Sequence, residues 1–311
     1  MFNAIKRFIT KQQPVDEVRA AYQHTTGDGF DVFLKKMNTY FTDFPGEAVH
    51  YANELHYLNN ALKQLTPEEK LLYAVMPYPF TRKYHPADNK VYHDTKAGMY
   101  YMLLEGKRLY YPETYTDPSA IQQSFMYLSV EQDKESPHRY LDKHFDIVEG
   151  DTVLDLGAAE GNFSLLVVEK VKRLVIVEAD VKWAAALAKT FEPWQEKVQI
   201  INKYAGNVSN ETTVTIEAIP GSHEITAIKM DIEGAEMSVL ENAASFLSKN
   251  NIKLAVAAYH RHTDAANIKM MLEGFGYTTV YSPNYMLFIY DNLQPPYFRR
   301  GLVKAQKQVI L

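Results

Sequence analysis

Residues 153–163 read VLDLGAAEGNF, and residues 173–180 read RLVIVEAD. The first stretch is a short apolar run that ends near Asp155, turns at Gly157 and passes into the helical segment NFSLLVVEKV. The second is an apolar run that ends in Glu178. A strand, a glycine turn, a helix and a second buried strand predict parallel pairing through a right-handed crossover. Glycine allows unusual backbone angles and lets a ligand approach the main chain. The free N–H groups of a helix start lie beside that turn. The spacing is Gly-x-x-x-Gly, unlike the Gly-x-Gly-x-x-Gly of dinucleotide folds, and the turn lacks the Gly-Lys-Ser/Thr of a phosphate loop. An acid closing the second strand is placed to accept both hydroxyls of a ribose.

The alternation continues toward the C-terminus. VKWAAALAKTF is helical, VQIIN and ITAIKMD are strands, and TTVTIEAI reads as an extra one. Met237, Leu240, Ala244 and Leu247 mark a helix by their spacing, KLAVAAY is a further strand, and a helix follows around Asn267–Glu273. YTTVY and YMLFIY flank Ser282-Pro283-Asn284 and close the pattern as an antiparallel hairpin. The fold class expected is α/β, with a doubly wound, mostly parallel sheet that binds its ligand outside the carboxyl ends of the strands.

Two more strand ends carry chemistry. AIKMDIEGAEMSVL places Asp231, Glu233 and Glu236 across a strand-to-helix turn. The helix dipole accounts for Glu236 and partly for Glu233, but less well for Asp231 at the strand end. KLAVAAYHRH ends in Tyr259-His260-Arg261-His262. A histidine with a pKa near 6.5 can take a proton from a hydroxyl, which makes His260 the candidate base beside Asp231. Asp231, Glu233 and His260 also offer the oxygen and imidazole donors that suit Mg²⁺ or Mn²⁺, so a divalent metal is the alternative.

VLDLGAAEG resembles the first motif of class I S-adenosylmethionine-dependent methyltransferases. The resemblance implies a Rossmann-like, seven-stranded sheet. It implies that Gly157, Ala159 and Gly161, with Ala158 and Asn162, lie along the methionine part of the cofactor. Glu178, with Ala179 beside it, then holds the ribose, and Asp155 shapes the turn and faces the cofactor's amino group, directly or through water. KMDIEGAE followed by YHRH resembles the FkbM family of methyltransferases, over about Asp151 to Tyr290. That resemblance implies O-methylation of a hydroxyl on a sugar, glycan or natural-product acceptor, with His260 and Asp231 catalytic. Glu233 and His262 are candidate acceptor contacts. SPHRY, just before the first strand, adds His138, Arg139 and Tyr140 at the cleft mouth. The other classes weighed are a non-catalytic S-adenosylmethionine-binding scaffold, against which Asp231 and His260 argue, and an NAD-dependent oxidoreductase, against which the glycine spacing argues.

The chain divides into residues 1–130, an α+β extension read as a substrate or cap region, and residues 131–311, the Rossmann-like domain. In the extension, GMYYMLL and RLYYP form a hairpin about Glu105-Gly106-Lys107, and SAIQQSFMYL is a helix capped by Ser119. Val49, Ala52, Leu55, Leu58, Leu62 and Leu65 recur at helical spacing, and Thr66-Pro67-Glu68-Glu69 reads as a new helix start. The opening MFNAIKRFI is weakly amphipathic and suits a short helix packed on its own domain better than a membrane surface.

Composition bounds the rest. The 311 residues carry 33 Lys plus Arg against 38 Asp plus Glu, a formal charge of −5, which gives no broad basic footprint for a nucleic-acid backbone. There are 0 cysteines, which excludes thiolate nucleophiles and Cys-based zinc sites. No apolar stretch approaches the roughly 18 residues of a membrane span, and the first residues lack the apolar region of a signal peptide. The expectation is a cytoplasmic enzyme acting on a small-molecule or glycan hydroxyl, without nucleic acid; a homo-oligomer is compatible with these features.

Overall fold

A computed structural model describes residues 28–62, 65, 73–287 and 295–307. The opening segment, the helix start at 66–69 and the end of YMLFIY lie outside the described residues. Strands, in chain order, are β1 (Tyr92–Asp94), β2 (Met99–Leu104), β3 (Lys107–Tyr110), β4 (Thr152–Leu156), β5 (Arg173–Val177), β6 (Val198–Ile201), β7 (Tyr204–Ala205), β8 (Thr213–Val214), β9 (Ala227–Met230), β10 (Lys253–Ala257), β11 (Thr278–Tyr281), β12 (Met286–Leu287), β13 (Phe298–Arg299) and β14 (Leu302–Gln306).

Seven of these form the central sheet, in the order β11-β14-β10-β9-β4-β5-β6. The pairs β10–β9, β9–β4, β4–β5 and β5–β6 are parallel, and β14 is antiparallel to both β10 and β11. This is the Rossmann-like architecture. The chain leaves β4 for β5 and β6 on one side, then returns to β9 and β10 on the other. The order therefore reverses between β4 and β9, and a crevice opens beyond their carboxyl ends.

Each buried strand splits its side chains between two apolar layers. Val153, Leu174 and Ile176 join Met37, Tyr57, Phe80, Leu109 and Phe125 on one face. Leu154, Leu156, Val175, Val177, Ile228 and Met230 join Val239, Leu247 and Ile268 on the other. The N-terminal region thus shares its core with the sheet. At about 1.5–3 kcal/mol for each large apolar side chain buried, these layers hold the strand ends rigid.

The closing pair differs in its second strand. β11 pairs with β14, while among the described residues of YMLFIY Met286–Leu287 is a strand that pairs with β13. The turn at Asn284, whose φ is +65°, carries the chain out of the sheet. β14 reads poorly as a buried strand because Lys304 interrupts it. That lysine is buried, with Nζ 2.7 Å from Asp142 Oδ2. TTVTIEAI yields only β8, which pairs with β7, before a 3₁₀ turn.

In the N-terminal region, β2 and β3 form the expected hairpin. Glu105 (φ +47°) and Gly106 (φ +78°) supply the two left-handed positions of a tight turn. The following helix is Pro118–Glu131, two residues longer at its start than expected. Its cap is Asp117, whose Oδ1 accepts the Ser119 N–H at 2.9 Å, and Pro118 occupies the first helical position. The periodic run after Val49 forms a 3₁₀ turn and the helix Ala52–Asn60.

Candidate active site

A cleft of about 630 Å³ opens at the reversal point. Gly157, Glu178, Ala179, Asp231 and Glu233 line it, with Val181, Lys182, Lys203 and Tyr204 at its rim. Gly157 has φ +76°, and a Cβ there would overlap the carbonyl of Asp231. The two strand ends touch because this residue has no side chain. Gly161, also left-handed, caps the helix Asn162–Val167 and packs against Leu187 and Phe191. Ala158 turns into the core, Asn162 is half-buried at the helix start, and Ala159 takes a positive φ of +49°.

That conformation of Ala159 aims its N–H at Glu178. Oε2 accepts it at 2.7 Å, and Oε1 accepts the Asp180 N–H at 2.7 Å. Burial raises the Glu178 pKa, and these two N–H bonds and the charge of Lys229 only partly offset it. The carboxyl is fixed at the cleft wall with lone pairs remaining on both oxygens.

Asp155 is placed differently from expectation. It is fully buried; Oδ2 accepts the Ser164 hydroxyl at 2.7 Å and Oδ1 lies 3.0 Å from Lys229 Nζ. It therefore does not face the cleft. Asp155 shares a face with Val153 and stands opposite Lys229 in the β4–β9 pair, which pairs it with that lysine. Lys229 was passed over in the strand AIKMD. A lysine in such a strand needs a partner, and that requirement is the signal that could have paired it with Asp155.

Asp231 is the centre of the floor. Oδ2 accepts the Tyr140 hydroxyl at 2.8 Å, and Oδ1 accepts the Tyr259 hydroxyl at 3.0 Å. His138 Nε2 lies 3.3 Å from Oδ2, and His260 Nε2 lies 3.6 Å from Oδ1. Burial alone would raise its pKa. His138 foremost, with His260 and Lys229, reverses that and holds the carboxyl well below the usual range. Of the SPHRY residues, His138 and Tyr140 thus reach the floor, while Arg139 turns back to the Leu141 carbonyl, with Nε 2.6 Å away.

His260 stands behind Asp231. Its Nδ1 is 3.2 Å from Glu236 Oε1, and its Nε2 is also 3.8 Å from Glu233 Oε2. Burial pulls its pKa down, but the hydrogen bond and charge of Glu236, with Asp231, outweigh it, so the net shift is upward. Arg299 Nη1 fixes the adjacent main chain by donating to the carbonyls of Tyr259 and His260, both at 2.7 Å. His262 is half-buried two residues on. Glu236 is more than a helix-dipole acid: its Oε1 accepts the Ile232 N–H at 2.8 Å and closes the turn. Glu233 holds a left-handed φ of +59° and keeps its side chain 45% exposed on the cleft side.

The metal alternative meets this geometry directly. Asp231, Glu236 and His260 bring one donor atom each within 4.8 Å of one another, with Glu236 in place of the expected Glu233. Asp231 faces Nε2 of the ring and Glu236 faces Nδ1, so the nearest carboxyls sit on opposite edges of one imidazole. One cation binds only one of those nitrogens. The Asp231 oxygens already accept two tyrosine hydroxyls and Glu236 accepts a backbone N–H. Asp231, Glu236 and His260 therefore fit a hydrogen-bonded charge cluster rather than a chelate, while Asp231 and Glu233 share the Nε2 edge at 3.6 and 3.8 Å. A chelator should therefore leave turnover unchanged in an assay run with and without added Mg²⁺ or Mn²⁺; loss on chelation with recovery on metal addition would restore the metal reading.

Residues 202–279 match the methyltransferase FkbM domain. The match covers this segment alone. It contains Asp231, Glu236 and His260, while the Gly157 turn and Glu178 lie upstream of it. Among solved structures, the chain is similar to the methyltransferase FkbM from Methylobacillus flagellatus KT, at 18% identity over 60% of this chain and 54% of that one, with a TM-score of 0.40. It spans about half the length of that protein. It is also similar to a precorrin-6y C5,15-methyltransferase from Geobacter metallireducens GS-15, at 13% identity over 52% and 83% of the two chains, with a TM-score of 0.36. A magnesium protoporphyrin IX methyltransferase from Synechocystis PCC 6803 with bound SAM is similar at 13% identity over 51% and 71%, with a TM-score of 0.34. No curated protein matches the sequence. Among the described residues, no helix is long and apolar enough to cross a membrane.

Proposed function

We propose that this FkbM-domain protein is an S-adenosylmethionine-dependent methyltransferase that methylates a hydroxyl on a sugar, glycan or natural-product acceptor. The observation that carries the reading is the pairing of Glu178, fixed by two backbone N–H groups, with Asp231 across one cleft at the β4–β9 reversal. When bound, the cofactor supplies a methyl already activated on a sulfonium. The protein's own work is then alignment, exclusion of water and removal of one proton.

Glu178 accepts the ribose hydroxyls with its free lone pairs, and Gly157 lets the ligand lie against bare backbone. Asp231, held anionic by its neighbours, accepts a hydrogen bond from the acceptor hydroxyl and orients its oxygen. With the methyl supplied by the bound cofactor, the acceptor's proton would leave through Asp231 to Nε2 of neutral His260. A depressed Asp231 is a weak terminal base, whereas a raised His260 is a strong one. Residues 1–130 serve as the cap and acceptor-binding region and residues 131–311 as the catalytic domain.

Glu178→Ala removes both acceptors to the ribose. Hydrogen bonds to charged groups contribute about 1.5–3 kcal/mol, so affinity for S-adenosylmethionine should fall roughly ten-fold or more by calorimetry; unchanged affinity in a folded variant contradicts the ribose assignment. The acceptor class is tested by transfer of labelled methyl from S-adenosylmethionine. The proposal expects label in hydroxylated saccharides as an alkali-stable ether; label confined to RNA or to amines contradicts it.

A further inference from the structure

Lys229 is the most buried cation near the cleft, with 3% of its surface exposed. Its ammonium lies 3.0 Å from Asp155 Oδ1, donates to the Gly157 carbonyl at 2.7 Å and stands 5.2 Å from the centre of the Tyr140 ring. Asp155 in turn accepts the Ser164 hydroxyl of the helix that follows the turn. One side chain from β9 therefore ties together the end of β4, the glycine turn and, through Asp155, the next helix. Core packing does not require this. Apolar residues in place of a buried ion pair are often neutral or stabilising. The contact that an apolar residue cannot make is the one to the Gly157 carbonyl.

That carbonyl belongs to the residue whose conformation sets the cradle. The Gly157 N–H is held by the Val177 carbonyl at 2.9 Å, so with Lys229 on its oxygen both polar groups of Gly157 are fixed. Two residues on, the Ala159 N–H meets Glu178. We propose that Lys229 is a positioning residue for the cofactor site: it holds the Gly157 turn from beneath so that Ala159 stays docked on Glu178. This rests on the cofactor reading given above, and it predicts a loss of S-adenosylmethionine affinity that packing alone does not explain.

The test compares two neutral pairs. Lys229→Met alone strands Asp155 without its cation and endangers the fold, so the variants are Asp155→Asn/Lys229→Met and Asp155→Asn/Lys229→Gln. Both remove the buried charges, but only the glutamine offers a donor to Gly157. With folding checked by thermal melts, the methionine pair should bind S-adenosylmethionine about ten-fold or more weakly, with KM for it raised. The glutamine pair should recover part of that affinity. In hydrogen exchange, the Ala159 amide should open faster in the methionine pair while Leu154 in β4 keeps its protection. Equal affinities and equal Ala159 exchange in the two pairs and the unsubstituted protein overturn the proposal. If the unsubstituted protein binds no S-adenosylmethionine, the cofactor reading fails instead, and Ala159 exchange still decides whether Lys229 holds the turn.

Discussion

His260→Ala should lower turnover by about 10²–10⁴-fold, the range of general-base assistance, while S-adenosylmethionine affinity stays nearly unchanged. The histidine reaches Asp231 and Glu233 on the acceptor side of the cleft. Removing it also leaves Glu236 buried beside an emptied space, so His260→Gln is the companion variant that keeps volume and a polar partner. The pH dependence separates a base from a structural ion pair. The His260 pKa is raised above 6.5, mainly because Glu236 outweighs burial. As a base it works only when neutral, so kcat should fall as pH drops through that raised value. Stability runs the other way: its contribution is fully present below the unfolded value near 6.5 and is lost as pH rises through the folded one. Opposite trends of kcat and melting temperature, both abolished in His260→Gln, support the assignment. A flat kcat profile, or variants that turn over normally, removes His260 from the catalytic account.

Gly157→Ala should abolish binding of S-adenosylmethionine and activity together. The new Cβ overlaps the Asp231 carbonyl oxygen, and the main chain of both residues is tied into the sheet through its N–H groups. A positive φ of +76° adds strain for any other residue. Overpacking of this kind costs about 1–3 kcal/mol or more, which is a large share of a typical domain's stability. Parallel thermal melts and calorimetry check it. A variant that keeps both its melting temperature and its affinity means the β4–β9 contact is looser than described.

The fold was legible where single segments carry their own pattern. Short apolar runs ending in Asp155, Glu178, Asp231 and Tyr259 alternate with helical stretches, and the parallel core follows from that alone. The last strand was not legible, because Leu302–Gln306 has a lysine in its middle and its partner Asp142 is far away in sequence. The helix cap at Asp117 was missed by two residues, since Ser119 is an equally good cap by type and only the Pro118 position decides.

In the site, residues next to strand ends were found because topology forces them into the crevice. Tyr259 and Glu236 were in view but given no contact with the floor, and Lys229 and Glu131 were passed over. Glu131 Oε2 lies 3.7 Å from His138 Nδ1 across the loop that follows its helix, and Lys229 stands opposite Asp155 in the β4–β9 pair. Such pairings depend on tertiary packing, and local periodicity does not encode them. Asp155 shows the converse: its motif position suggested a ligand contact, but the two-residue period of a strand sends it into the core.

The account stands most directly on a crystal structure with S-adenosylhomocysteine bound. It predicts the ribose hydroxyls on the Glu178 carboxyl, the methionine part along Gly157, and the sulfur facing Asp231 with room beside it for an acceptor oxygen. A ligand that leaves Glu178 unengaged, or one whose sulfur points away from Asp231, would contradict it.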